Sequence, residues 1–276
     1  MTEYLEREVD LADPPTASAF DELSFWASRF GRLLFDHLEL RPDLAILDLG
    51  CGTGFPLFEL AHAHGPSCRC VGVDLWGAGL ARAAHKRRVH ALRRVALVHG
   101  DGARLPFAPH CFDLVVSNLG VNNFDDAPGV LAECARVARP GARLALTTNL
   151  AGHMRELYAV LREVAAERGG PGATERLAAN QSHRGSVQSL SALVRGAGFR
   201  VARVVEDSFV MRYLDGSALL RHWLTVVGFL GGWRAVAGPE RERDVLAELE
   251  RRLNDEAARA GGLAMTVPML YLEAVR

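Results

Sequence analysis

One stretch constrains this chain more than any other. Residues 45–56 read AILDLGCGTGFP, an apolar run interrupted only by Asp48 that turns through three glycines into a helical segment. A short, nearly continuous apolar run suits a strand buried on both faces, and closely spaced glycines permit backbone conformations denied to other residues. The stretch predicts the first strand of an open parallel sheet. In such sheets ligands bind at the carboxyl ends of the strands, where the following helix presents its N-terminus. Taken alone, a three-glycine turn says little about which ligand.

The surrounding pattern fixes the fold class. Between Leu44 and about Ala202 the runs AILDL, VGVDL, VALVHG, FDLVVSN, RLALTTN and FRVARVV alternate with helical segments, which specifies an α/β fold with a mainly parallel sheet. Val130, Leu131, Cys134 and Val137 form one helical stripe, with Asp126 to cap its start and Pro140-Gly141 to end it. Trp26, Phe30, Leu33 and Leu34 share a face of an N-terminal amphipathic helix expected over about 20–38. Two regions, about 150–187 and about 214–262, break the alternation and read as helical additions covering a sheet edge or its mouth. The segment TVPMLYLEAV is strand-like, and Pro268 within it suits an edge position or a bulge. The expected organisation is a single domain over 1–276 with a ligand-binding core at about 40–150.

Charge and cysteine content narrow the partners. A formal net charge of −1 gives no global attraction for a polyanion, so no nucleic-acid partner is expected. The five cysteines are odd in number and lie mostly in predicted strands and helices, which fits thiols in a reducing compartment better than a disulfide framework. The N-terminus carries acids and lacks an apolar signal core, and no apolar run approaches the roughly 20 residues of a membrane span. A cytoplasmic protein without a membrane span is expected.

Specificity comes from elements that follow the glycine turn in order. Asp74 ends the second strand, where a carboxylate can accept hydrogen bonds from both hydroxyls of a ribose. GDGARLPF follows at 100–107 and FDLVVSNLG at 112–120. A dinucleotide fold would carry GxGxxG rather than the GxGxG found here, and Asp48 would repel a diphosphate yet can engage an ammonium. With ECARVARPGARLALTTN, residues from about 20 to 150 resemble class I S-adenosylmethionine (SAM) dependent methyltransferases of the type-11 group, which includes small-molecule and quinone-precursor enzymes.

The resemblance implies a Rossmann-like α/β fold, a seven-stranded mixed sheet with its last strand antiparallel, flanked by helices and carrying helical cap insertions. It implies SAM as cofactor and S-adenosylhomocysteine as product. Asp48, Gly50, Cys51, Gly52 and Gly54 would surround the methionine part, and Asp74 would hold the ribose. Leu75 and Trp76 would flank the adenine, with Asp101, Gly102 and Ala103 hydrogen-bonding it, while Asn118, Leu119 and Gly120 would pass under the sulfonium. The N-terminal helix would act as a lid, with Trp26 and Phe30 closing the site.

Methyl transfer from a sulfonium is an in-line displacement that leaves a neutral thioether, so alignment in a dry pocket is the main requirement and no metal is demanded. Asn122, Asn123, His153 and Tyr158 are candidates for the acceptor side, with His153 the best placed for a base. The segment WLTVVGFLGGW favours a moderately apolar small-molecule acceptor, and a homodimer is compatible with the chain. Cys68 with Cys70, and His62 with His64, lack the partners and geometry of a metal site, and the basic cluster from Arg82 to Arg94 reads as a solvated helix face. Two alternatives stand beside this reading: a SAM-binding regulatory or partner protein without catalysis, and a methyltransferase acting on RNA or protein.

Overall fold

A computed structural model describes residues 3–7 and 9–276. Seven strands, β1 (Ala45–Leu49), β2 (Arg69–Asp74), β3 (Val95–His99), β4 (Phe112–Asn118), β5 (Ala138–Asn149), β6 (Arg200–Tyr213) and β7 (Leu263–Val275), form one sheet in the order β3-β2-β1-β4-β5-β7-β6. The first five pair in parallel, and β7 runs antiparallel to β5, from Met269 opposite Asn149 to Val275 opposite Arg143. Helices α1 (Pro14–Asp21), α2 (Ser24–Phe35), α3 (Leu57–His64), α4 (Gly77–Val89) and α5 (Ala127–Val137) accompany these strands. Further along the chain come α6 (Arg155–Arg168), α7 (Ala173–Ser182), α8 (Val187–Gly196), α9 (Gly216–Arg221), α10 (Trp223–Gly228), α11 (Leu230–Ala237) and α12 (Glu242–Ala260).

The chain divides into two compact units. One, the α/β unit, comprises Leu11–Asn149, Gly185–Asp207 and Met269–Arg276; the other, a helical unit, comprises residues up to Asp10, Leu150–Arg184 and Ser208–Pro268. All five residues of β1 are buried, as its apolar run demands at the centre of a parallel sheet. In α5 the stripe Val130, Leu131, Cys134 and Val137 is buried, and Asp126 Oδ1 accepts the Gly129 amide at 2.9 Å as the N-cap. In the helical unit, Leu157, Val160, Leu161 and Val164 of α6 and Val245, Leu246, Leu249 and Leu253 of α12 are buried, the faces that their spacing predicts.

Three local expectations are corrected. The N-terminal helix is two helices, because the first begins at the Pro14-Pro15 pair and is capped by Asp13, whose Oδ2 accepts the Thr16 amide. Pro140-Gly141 does not end α5, which stops at Val137; the pair lies inside the irregular start of β5, with Gly141 at φ 80°. Finally, β7 is not an edge strand but lies between β5 and β6. Pro268 is tolerated because it precedes the paired register with β5, and its carbonyl accepts the Leu150 amide at 3.1 Å.

Candidate cofactor and acceptor sites

The turn after β1 is built by glycine backbone. Gly50, Gly52 and Gly54 sit at φ 73°, 50° and 105°, the left-handed region that penalises any Cβ. The amides of Gly50 and Cys51 donate to the Val73 carbonyl at 2.9 and 3.2 Å. Asp74 then locks the turn to the end of β2: its Oδ2 accepts the Gly52 amide and its Oδ1 the Trp76 amide, both at 2.7 Å. Each carboxylate oxygen keeps a further lone pair for a ligand hydroxyl.

The end of β4 closes on the same place. Ser117 Oγ donates to the Leu49 carbonyl at 2.8 Å, and a Cβ on Gly120 would fall 2.3 Å from that Oγ and 2.8 Å from the Phe124 ring. A Cβ on Gly50 would lie 3.8 Å from Gly120 Cα. The structure therefore brings Gly50, Gly52, Asp74 and Gly120 together at the carboxyl ends of β1, β2 and β4. Ser117 and Phe124 escaped the sequence reading, since neither stands out from an ordinary strand and loop.

Asp48 is fully buried, and neither carboxylate oxygen has a well-formed hydrogen bond; the Leu57 amide exerts only a weak opposing pull. Burial first, and the charge of Asp74 second, push its pKa up to about 8. A buried acid without a donor is costly unless a cation or donor arrives, and no atom lies within 4 Å of the Cβ position of neighbouring Gly52. These two features fit the ammonium and backbone-hugging shape of SAM. Cys51 fills a small slot, its Sγ 2.7 Å from where a Gly72 Cβ would stand, and burial raises its thiol far above the usual range.

Other expected cofactor residues are committed to the fold. Asp101 Oδ1 caps its own turn by accepting the Ala103 amide at 2.9 Å, and a Cβ on Gly102 would meet Leu49 at 2.8 Å. Leu75 is exposed, whereas Trp76 packs on Gly79, meets Phe20 edge-on at 5.1 Å and donates its indole N–H to the Leu11 carbonyl. Asn118 is buried, with Oδ1 accepting from Thr147 at 2.6 Å and Nδ2 donating to the Ala27 carbonyl at 3.4 Å. Leu119 sits at φ 69°. The Trp26 and Phe30 rings lie 5.2 Å apart, with Phe30 wholly buried.

Asp21 was also missed. It pairs with Arg82 at 2.9 Å and Lys86 at 2.7 Å and accepts from Thr53 of the glycine turn, which holds its carboxyl below the usual range despite burial. The sequence trace is the Arg82/Lys86 spacing, one face of α4. Two members of the basic cluster thus share one carboxylate at the end of α1.

The acceptor candidates separate. Asn122 donates to the carbonyl of Asn149 at 2.8 Å and to its Oδ1 at 3.1 Å, and exposed Asn123 donates to the Leu119 carbonyl at 2.9 Å; both belong to the α/β unit. His153 and Tyr158 belong to the helical unit and are buried. The His153 ring lies 5.2 Å from that of Phe229, and burial, then Arg184, then His183 depress its pKa well below the usual imidazole value. Tyr158 Oη donates to Asn180 Oδ1 at 2.9 Å and accepts from Trp233 Nε1 at 3.2 Å. The segment 223–233 folds as the end-to-end helices α10 and α11, with Leu224, Val226, Leu230 and Trp233 buried.

Among the described residues, no helix is long and apolar enough to cross a membrane. Residues 47–146 match the methyltransferase domain family. Over 251 residues, 87% of this chain and 88% of the relative, the sequence is 31% identical to nocamycin O-methyltransferase of Saccharothrix syringae. A demethylmenaquinone methyltransferase of Bacillus cytotoxicus is 36% identical over 107 residues, 39% of this chain and 45% of that protein. The solved structure of a SAM-dependent methyltransferase from Aquifex aeolicus superposes with a TM-score of 0.55 at 21% identity, covering 70% of this chain and 92% of that one, and shares the fold. With the glycine turn, the paired Asp74 and the waiting Asp48, these similarities make the chain a member of the class I SAM-dependent methyltransferases of the type-11 group.

Proposed function

We propose that this SAM-dependent methyltransferase transfers a methyl group to an oxygen of a small, moderately apolar metabolite. The observation that carries this reading is the reach of the similarity to an O-methyltransferase. At 251 residues it must extend through most of the helical unit, whereas the demethylmenaquinone match is less than half as long. Bound SAM supplies an electrophilic methyl on a positively charged sulfur. The chain's own residues hold and align: Asp48 and the turn Gly50–Gly54 take the amino acid part, Asp74 the ribose, Leu75, Trp76 and Asp101–Ala103 the adenine, and Asn118–Gly120 the sulfonium side.

On this reading the helices before β1 exclude water. Alignment of this kind accounts for up to about 7–11 kcal/mol of a barrier. We infer that His153 orients the acceptor rather than taking its proton, because a ring held so firmly neutral is a poor base. The five cysteines as free thiols favour the cytoplasm as its place of work. Incubation with SAM and a metabolite extract of the source organism, searched by mass for a gain of one CH2 on a hydroxyl or carboxyl oxygen, tests the reading. Transfer to nitrogen or carbon, or to a macromolecule, refutes it.

A further inference from the structure

The helical unit contains a buried cation that the described residues leave without a counter-ion. Arg184, just beyond α7, is 8% exposed. Its Nη1 donates to Tyr158 Oη at 3.4 Å, and its guanidinium carbon lies 5.8 Å from the centre of that ring. Its Nε is buried without a hydrogen-bond partner, and among the described residues no carboxylate pairs with it. A buried guanidinium in this condition is costly, and the cost is relieved when a ligand brings the missing anion.

The described neighbours do not supply one. Tyr158 Oη already accepts from Trp233 Nε1 and donates to Asn180 Oδ1, and Asn180 is pressed so close to α11 that a Cβ on Gly232 would fall 2.5 Å from its amide nitrogen. His153 and His183, the ionisable rings nearest in charge coupling, are both held toward the neutral form by burial and by Arg184 itself. Aromatic rings continue from Tyr158, whose ring meets that of Trp233 edge-on at 6.4 Å. Phe229 and Trp233 stack with centroids 6.1 Å apart and planes 18° from parallel, and His153 faces Phe229.

A forked guanidinium beside flat rings is recognition chemistry for a planar organic anion: the fork matches two acid oxygens and the rings cover the apolar body. We propose that Arg184 anchors an anionic oxygen group of a ligand taken up by the helical unit, a small, planar, largely apolar organic acid ionised at neutral pH.

Equilibrium titration of the full chain, saturated with S-adenosylhomocysteine, with 2-naphthoate and its neutral counterpart 2-naphthamide tests the assignment. The acid should bind about 10- to 100-fold more tightly than the amide. Arg184→Gln should abolish that preference while leaving the amide and S-adenosylhomocysteine affinities within about twofold, and Arg184→Lys should keep part of it. Indistinguishable behaviour of acid and amide in the wild-type chain, absence of binding included, overturns the proposal, as does a preference that survives Arg184→Gln. The wild-type comparison stands even if a variant fails to fold.

Discussion

The glycine turn of the α/β unit and the aromatic cluster of the helical unit are built by opposite means. Around β1 the backbone does the holding: positive φ at Gly50, Gly52 and Gly54, paired amides on Val73, and a single carboxylate, Asp74, clasping the Gly52 and Trp76 amides. Around Tyr158 the side chains of α6, α7 and α11 hold one another, with Asn180, Arg184 and Trp233 meeting at one phenol oxygen. A backbone-built site tolerates little local change and suits an invariant ligand. A side-chain-built cluster can be respecified by substitution.

The largest expected effect would break the first half of that contrast. Asp74→Ala removes two charge-assisted bonds to the turn as well as the proposed ribose contact, and SAM affinity should fall by about 100-fold or more, read by calorimetry. An unchanged affinity would mean that the glycines hold the cofactor without their clasp. Gly120→Ala drives a methyl onto Ser117 Oγ and the Phe124 ring and should lower stability by about 1–3 kcal/mol in denaturant unfolding.

Asp48→Asn sharpens the electrostatic side. The folded pKa of about 8 lies above the roughly 3.9 of an unfolded aspartate, so between those values the native state holds a proton that the unfolded state has lost. Stability of the ligand-free protein should therefore fall as pH rises through that window, and Asp48→Asn should flatten this component, measured as the difference between the two unfolding profiles. In the helical unit, His153→Gln should change kcat by less than about tenfold, against the about 100- to 10,000-fold loss expected of a proton-transferring group. The smallest effect belongs to Asn123→Ala, an exposed side chain bonded only to its own turn, within about 0.5 kcal/mol in stability.

Much of the α/β unit was legible because its constraints are local. A buried parallel strand needs a continuous apolar run, a tight turn needs glycine, and an N-cap needs an acceptor such as Asp126, each visible within a few residues. The place of β7 was not, since Pro268 reads the same whether a strand lies at an edge or meets its neighbour one residue later.

The sequence by itself determined the fold class, because spacing along the chain encodes backbone geometry directly, and its family resemblance pointed to the cofactor. Only the tertiary structure decided which side chains are already spent and which keep unused bonding capacity. Asn118, Asn122 and Trp76 are tied to the fold by partners distant in sequence. Asp48 and the Nε of Arg184 are buried with bonding capacity left over, a property of packing that no local pattern records.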